Sequence, residues 1–441
     1  MNARDSDGID GEEPARTSGS GDRDARSRTS ERRDVVLVTI DAWRRDAVAD
    51  MSSLRGIAAA GDYEQSVAVS HSASTNGAFP PLLAGRHFMQ AYDGDGRVAP
   101  DVTPLPEVLG ERGYATAGIV ASNPFLAKWA EYFDHFWNDG MTTDVDYSGP
   151  RYTLFDRASR FARLKQRVNA TAVADRARRW YRSRDGPRFL WVHLMDVHAP
   201  YFTGIRGARE HGLLDTYATL FDYHVRGNDT PANRERLRAL YDKCVEQLDE
   251  RLADVFAFVD ADAVVVVTGD HGEEFEHGFH GHAQLYDECV TTPFFARNLR
   301  HPVGECPVRH LDIGPSVLAE LGVDPPPDWE GEPVDGTTRR ALLSNHAPVL
   351  DRTYVGVRTE QYKFVKSYHD KQWTVEDREL YDHREDPGER TRVDDPAVAS
   401  ELEAAVDAFL DRDDADVGVI RERETGLDDG VENRLKELGY V

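Results

Sequence analysis

Two apolar runs constrain this chain more than any other feature. Val35–Ile40 reads VVLVTI and Val264–Thr268 reads VVVVT, and each run breaks off at an aspartate, Asp41 in the first case and Asp270 in the second. A strand that is apolar on both faces must be covered on both faces, as in a parallel sheet flanked by helices. In such open α/β sheets, ligands gather at the carboxyl ends of the strands. Asp41 and the pair Asp270-His271, over two hundred residues apart, are therefore expected to meet at one sheet edge. Two hard oxygen donors and an imidazole at that edge suit a divalent metal.

Strand and helix signals alternate along the chain. Tyr114–Val120 and Phe189–Leu194 read as further strands. Helical spacing runs through Val48–Gly61, with Gly61 in the C′ position, and through Pro104–Gly113, Ala158–Arg184 and Pro231–Val259. This rhythm predicts an α/β fold, a three-layer α/β/α with a large mostly parallel sheet. From about Leu342 the texture changes. Tyr354–Arg358 and Tyr362–Ser367 read as strands around a short turn, Trp373 and Leu380-Tyr381 continue the pattern, and Ala397–Asp411 is an amphipathic helix. A small C-terminal antiparallel α+β lobe is expected over 341–441, after a catalytic α/β domain over 34–340. Residues 1–33 have almost nothing to bury and read as a disordered tail.

The chain has 441 residues and a net charge of −26, with 7 Lys against 46 Arg. That balance suggests a salt-adapted, halophilic proteome, and it argues against nucleic acid as a partner, which wants a basic footprint. No apolar run approaches the roughly 20 residues of a membrane span, and the N-terminus lacks a signal-peptide core. A cytoplasmic location is the resulting expectation. Cys244, Cys289 and Cys306 are too few and too scattered for a disulfide framework and read as small apolar residues.

Several residues could carry chemistry. Asp41 precedes Trp43-Arg44-Arg45 and could equally be a helix N-cap. Gly272 permits a tight turn after Asp270-His271. His198 lies in HLMDVHAPY just past a strand, and Asp196 alternates with it so that both could share a face. A histidine facing a polar cleft suits leaving-group protonation; a hydrogen-bonded core histidine is the alternative. His277, His280 and His282 crowd EHGFHGH beside Glu273, Glu274 and Glu276. The search for a nucleophile leads to SHSASTNGAFPPLLAGRHF, where Ser74 and Thr75 are the candidate hydroxyls. A nearby cation helps a hydroxyl lose its proton, and a helix start adds positive field for an anion. An ordinary Ser/Thr-rich turn is the alternative.

These segments, in this order, resemble the sulfatase family of the alkaline phosphatase superfamily from about Asp34 to Val441. The first Asp41 strand, PLPEVLGERGYATAGIVASNPFL, FLWVHLMDVHAPY, VVVVTGDHGEEFEHG, RHLDIGPSVLAELGVDPP, ELYDHREDPGER and RLKELGYV carry the resemblance. It implies a divalent metal (Ca, Mn, Mg or Zn) at Asp41, Asp270 and His271 beside Thr75. It also implies His198 near the leaving group, His282 where many sulfatases have an active-site Lys, and Arg45 or Arg44 after the first Asp. A second metal at Asp196, His198 and His282 is a further expectation. One departure matters most. Anchoring on Leu82-Leu83-Ala84-Gly85 puts Thr75 where sulfatases carry the Cys or Ser that becomes formylglycine, with Gly77 at the motif's Pro and Phe79 at its Arg. Threonine cannot become formylglycine, and a Thr nucleophile resembles the phosphodiesterase, phosphonate and phosphotransferase branches. The expectation is a metal-dependent hydrolase or transferase acting through Thr75 on small anionic esters or glycans, phosphate ahead of sulfate. The competing expectation is an inactive sulfatase-like protein that binds an anionic glycan or a protein partner.

Overall fold

The computed structural model describes residues 32–138, 168–204, 212–299, 306–337, 339–369, 372, 374–412 and 420. Its larger sheet contains β1 (Val35–Ile40), β2 (Glu64–Val69), β3 (Ala115–Val120), β4 (His135–Asn138), β5 (Arg188–Leu194), β6 (Val264–Gly269), β7 (Thr291–Arg297) and β8 (Val308–Arg309), in the order β4-β3-β5-β1-β6-β7-β2-β8. The two Asp-terminated runs are neighbours in the middle: β1 pairs in parallel with β6 on one side and with β5 on the other. β7 runs antiparallel to both β6 and β2, so the sheet is mixed, with the parallel strands dominant.

β1 shows why the run has no polar face. Val35 and Leu37 enter one apolar cluster, together with Phe79, Leu82 and Leu83 from the helix Thr75–Ala84 and Val317 and Leu318 from His310–Glu320. Val36, Val38 and Ile40 enter the other, with Leu54 from Ser52–Ala60, Val173 from Ala170–Arg182 and Leu248 from Pro231–Phe256. Successive side chains of a strand point to opposite faces, and here both faces meet helices.

A second sheet lies in the C-terminal region. It is antiparallel throughout, built from β9 (Ala341–Ala347), β10 (Arg352–Arg358), β11 (Tyr362–His369) and β12 (Val375–Asp382) in the order β12-β11-β10-β9. The helix Pro396–Asp411 packs on it, with Leu402, Val406 and Phe409 in the core. All described residues belong to one unit, Arg32–Val441.

Some local expectations need correction. The helix around Ser52 does end at Gly61, but Gly61 has φ −105° and caps it through its N–H to the Ile57 carbonyl, so the left-handed C′ conformation is not used. The helix before β3 stops at Gly110 and a turn carries on to Gly113, whose φ is +81°. β2, β7 and β9 were not expected as strands. The tail, Trp373, residues 158–167 and the segment RLKELGYV lie outside the described residues. Among the described residues no helix is long and apolar enough to cross a membrane.

Candidate active site

Four adjacent parallel strands end at the same edge, and each delivers polar side chains there. Asp41 follows β1, Asp270-His271 follows β6, His198 lies four residues beyond β5 and Asn123 three beyond β3. The backbone holds the two aspartates level, since Asp41 N donates to Leu194 O and Asp270 N to Ile40 O. Asp270 Oδ1 then accepts from Ala42 N (3.2 Å) and His271 N (2.8 Å). Ala42 has φ +55°, a conformation that costs a non-glycine residue energy, and this hydrogen bond helps hold it.

Asp41 is fully buried and sits among imidazoles. His193 Nε2 is 3.3 Å from its Oδ2, and His198 Nε2 and His271 Nε2 are each 3.7 Å from its Oδ1. Burial raises the pKa of such a carboxyl, but the His198, His193 and His271 rings outweigh it and hold Asp41 well below the usual range. Asp270 goes the other way: burial first, then the Asp41 charge, push its carboxyl well up. Two carboxylates this close share negative charge badly, and a divalent cation relieves that.

Thr75 enters from the other side, as the first residue of the ten-residue helix Thr75–Ala84. Its Oγ1 lies 3.3 Å from Asp41 Oδ2, to which it donates, and 3.4 Å from His271 Nε2. Ser74 is the N-cap, and its Oγ accepts from Gly77 N at 3.2 Å. The hydroxyl of Ser74 therefore caps the helix, and that of Thr75 meets the aspartate cluster. His282 joins at ring-centroid distances of 4.5 Å from His271 and 5.9 Å from His198. Burial and the neighbouring His271 lower its pKa to about 3, so it is neutral at pH 7.

The donors fit a divalent cation. Asp41, Asp270 and His271 offer one ligand atom each within 4.8 Å of one another, all buried. Asp41 Oδ1 and Asp270 Oδ2 are buried with no hydrogen-bond partner among the described residues. His271 Nδ1 donates to Gly272 O at 2.8 Å, which leaves the Nε2 lone pair for a ligand bond. Gly272 is needed for space: a Cβ there would lie 2.0 Å from Glu288 O.

Two expectations fail. Arg45 is exposed in the turn after β1, and Arg44 is buried but bound to Asp46, Glu288 and the Glu273 carbonyl. Neither guanidinium is available at the cluster. Asp196 does not join a second metal group: its Oδ1 accepts from Ala170 N (3.2 Å) and Arg251 Nη1 (3.0 Å). Among the described residues, Asp41, Asp270 and His271 form the one group with metal-ligand spacing. The crowded His277 and His280 serve packing, His277 with Glu288 and Gly388 O, His280 with the Tyr201 hydroxyl at 2.8 Å.

Sequence reading missed Asn123 and His193. Asn123 Nδ2 donates to Asp41 Oδ2 at 2.9 Å. His193 closes a chain of contacts in which Trp191 Nε1 donates to Thr39 Oγ1 (2.9 Å), Thr39 meets His193 Nδ1 (2.9 Å) and His193 meets Asp41. A histidine inside an otherwise apolar strand was the available signal.

The small sheet also reaches the site. β9 pins the loop before Thr75 and the loop bearing His282: Ser344 N donates to His71 O (3.0 Å), Ser72 Oγ to Asn345 Oδ1 (3.0 Å) and Asn345 Nδ2 to Ala283 O (2.8 Å).

Comparison with known structures agrees with this architecture. A protein solved in complex with its substrate D-glucosamine-2-N,6-O-disulfate is similar at TM-score 0.59 and 16% identity, over 87% of this chain and 99% of its own. The phosphonate monoester hydrolase of Silicibacter pomeroyi gives TM-score 0.59 and 17% identity over 90% of this chain and 96% of its own. That of Agrobacterium radiobacter gives 0.59 and 16% over the same shares, 90% and 96%. At such identities the likeness establishes the fold. No curated protein matches the chain in sequence. The sulfatase family model matches residues 33–323, which span β1 to the helix His310–Glu320 and hold every residue of the cluster around Asp41, and the chain therefore belongs to the sulfatase family.

Proposed function

We propose that this protein is a metal-dependent hydrolase or transferase that acts on small phosphate esters, ahead of sulfate esters, with Thr75 as nucleophile. The observation that carries the reading is the position of the Thr75 hydroxyl, 3.3 Å from Asp41 and 3.4 Å from His271, at a helix start. Threonine keeps an ordinary hydroxyl, so the nucleophile is an alkoxide, which suits phosphoryl centres. Phosphonate monoester hydrolases among the similar folds favour the same centre.

Asp41, Asp270 and His271 would hold the cation, which when bound lowers the pKa of an adjacent hydroxyl and neutralises the ester anion. Thr75 Oγ1, its proton released to solvent once the hydroxyl's pKa is lowered, forms the new bond to phosphorus as the bond to the leaving oxygen breaks, and it regains a proton when the phosphoryl group departs. The helix start at Thr75 favours the anion's negative charge. His198 is oriented by its Nδ1, which lies 2.6 Å from Ala199 O, so Nε2 faces the cluster and delivers a proton to the leaving oxygen. Water or a second alcohol then takes the phosphoryl group from Thr75, with His198 Nε2 accepting the proton.

The test is a screen of phosphomonoesters, phosphodiesters and sulfate esters with Mn, Ca, Mg and Zn, repeated on three variants. Thr75→Ala should lose roughly a thousandfold or more in kcat/KM. Ser74→Ala should keep most of the activity and lose only a helix cap, and Thr75→Ser should keep part of it. A covalent adduct mapped to Thr75 by peptide mass spectrometry is expected. Unchanged turnover in Thr75→Ala rejects the mechanism, and a wild-type protein that holds no divalent ion points to a binding protein instead.

A further inference from the structure

A separate cavity of about 370 Å³ lies between the α/β body and the C-terminal lobe, with none of the Asp41 cluster in its wall. Its lining includes His71, Arg309, Arg340 and Arg412, with Trp329 and Phe409. The volume is at the lower end of the roughly 300–1,000 Å³ of small-molecule sites. An inorganic oxyanion would fill only a fraction of it.

Its charges are unevenly committed. Arg309 uses all three of its nitrogens, Nε and Nη2 on Asp312 and Nη1 on the Arg340 carbonyl. Arg340 uses Nη2 on Glu401 and Arg412 uses Nη1 on Glu330 at 3.0 Å. The remaining N–H groups of these two forks have no partner among the described residues. The acids of the wall are already held. Glu330 also accepts from His87 N at 3.0 Å, and Asp328 lies 3.7 Å from Arg86. Guanidinium forks with spare N–H groups match the oxygens of a phosphate or sulfate.

His71 supplies a second, independent observation. It is fully buried, its Nδ1 is 2.6 Å from Leu342 O, and its Nε2 has no partner among the described residues. Burial, then the Arg309 charge, lowers its pKa to about 4, so at neutral pH Nε2 is an acceptor awaiting a donor such as a hydroxyl. A buried polar atom left without a partner is destabilising, and a bound hydroxyl would satisfy it. Trp329, anchored by Nε1 to Thr103 O at 3.0 Å, and Phe409 add apolar surface to the wall for an organic body.

We propose that this cavity binds a small organic phosphate or sulfate that also carries hydroxyl groups, with Arg340 and Arg412 on the anion and His71 Nε2 on a hydroxyl. The site needs no turnover, so it is tested in the Asp270→Ala protein, whose metal group is incomplete. Glucose 6-phosphate and glucose 6-sulfate are titrated calorimetrically, with glucose as control. One saturable site per chain is expected for at least one of the two esters, with glucose binding at least roughly tenfold more weakly. The double variant Arg340→Ala/Arg412→Ala should weaken the ester by a similar factor. Both side chains are half exposed, at 53% and 51%, so the variant should fold, and its melting curve verifies that. Absence of saturable binding by either ester up to millimolar concentration, binding unaltered by the double substitution, or equal binding of glucose would each overturn the proposal. None of these outcomes bears on Thr75.

Discussion

Asp41 and Asp270 are equivalent in the sequence, each an aspartate after a buried strand, yet the protein treats them oppositely. The imidazoles around Asp41 hold it ionised, whereas burial and the Asp41 charge favour a proton on Asp270. A carboxyl with a raised folded-state pKa costs stability above its unfolded value, about 4, and the cost grows until the folded pKa is passed. Asp270→Asn should therefore stabilise the metal-free protein near neutral pH and abolish tight metal binding. Thermal melts with and without Mn check both halves; a destabilised metal-free variant contradicts the assignment. In the wild type, metal binding should weaken as pH falls, because protons compete with the cation for the ligand atoms, and calorimetric titrations at several pH values read this directly. His193 acts one contact further out. His193→Ala should weaken Mn binding by roughly 10–100-fold, because Asp41 loses the ring that orients it. Unchanged Mn affinity would make His193 a packing residue.

At the scale of elements, the site depends on parts that no single motif contains. β1, β3, β5 and β6 supply side chains from one edge, and the start of the Thr75–Ala84 helix supplies the hydroxyl. β9 links the loops on the far side, with Asn345 bridging Ser72 and Ala283. Asn345→Ala removes both hydrogen bonds and leaves the buried Ala283 carbonyl and Ser72 hydroxyl to find other partners. A loss of about 1–3 kcal/mol in stability is expected, together with a drop in kcat as Thr75 and His282 lose their relative position. Equilibrium unfolding and steady-state kinetics separate the two. Full activity in a destabilised variant would reduce β9 to a structural support.

The whole chain carries a net charge of −26, and its described residues form many arginine–carboxylate pairs. At about 0.01 M salt, charges repel over a screening length of roughly 30 Å; at 1 M the length falls to about 3 Å. The melting temperature should therefore rise strongly between dilute buffer and molar KCl. Specific exposed pairs weaken with the same salt, but each contributes only about 0–1 kcal/mol, so the net repulsion dominates. A flat response to KCl would remove the inference of salt adaptation.

The strands β1 and β6, their neighbourhood in one sheet, and Asp41 and Asp270-His271 at its edge were legible in the sequence, because an unbroken apolar run can satisfy itself only when buried on both faces. Thr75 was legible as one of two hydroxyls. Which of them faces the aspartates was a matter of helix phase: Ser74 stands at the cap and Thr75 one residue into the turn, a rotation that local sequence does not encode. Arg45 and Asp196 looked equally suitable in sequence, but Arg45 turned outward and Asp196 found Arg251. Asn123 and His193 have no motif, and their roles exist only because β3 and β5 lie beside β1. β7 and β9 escaped because an antiparallel partner is set by long-range pairing and not by its own pattern. Patterning thus determined what had to be buried and where polar ends would emerge, and the packing of distant strands decided which of those ends meet.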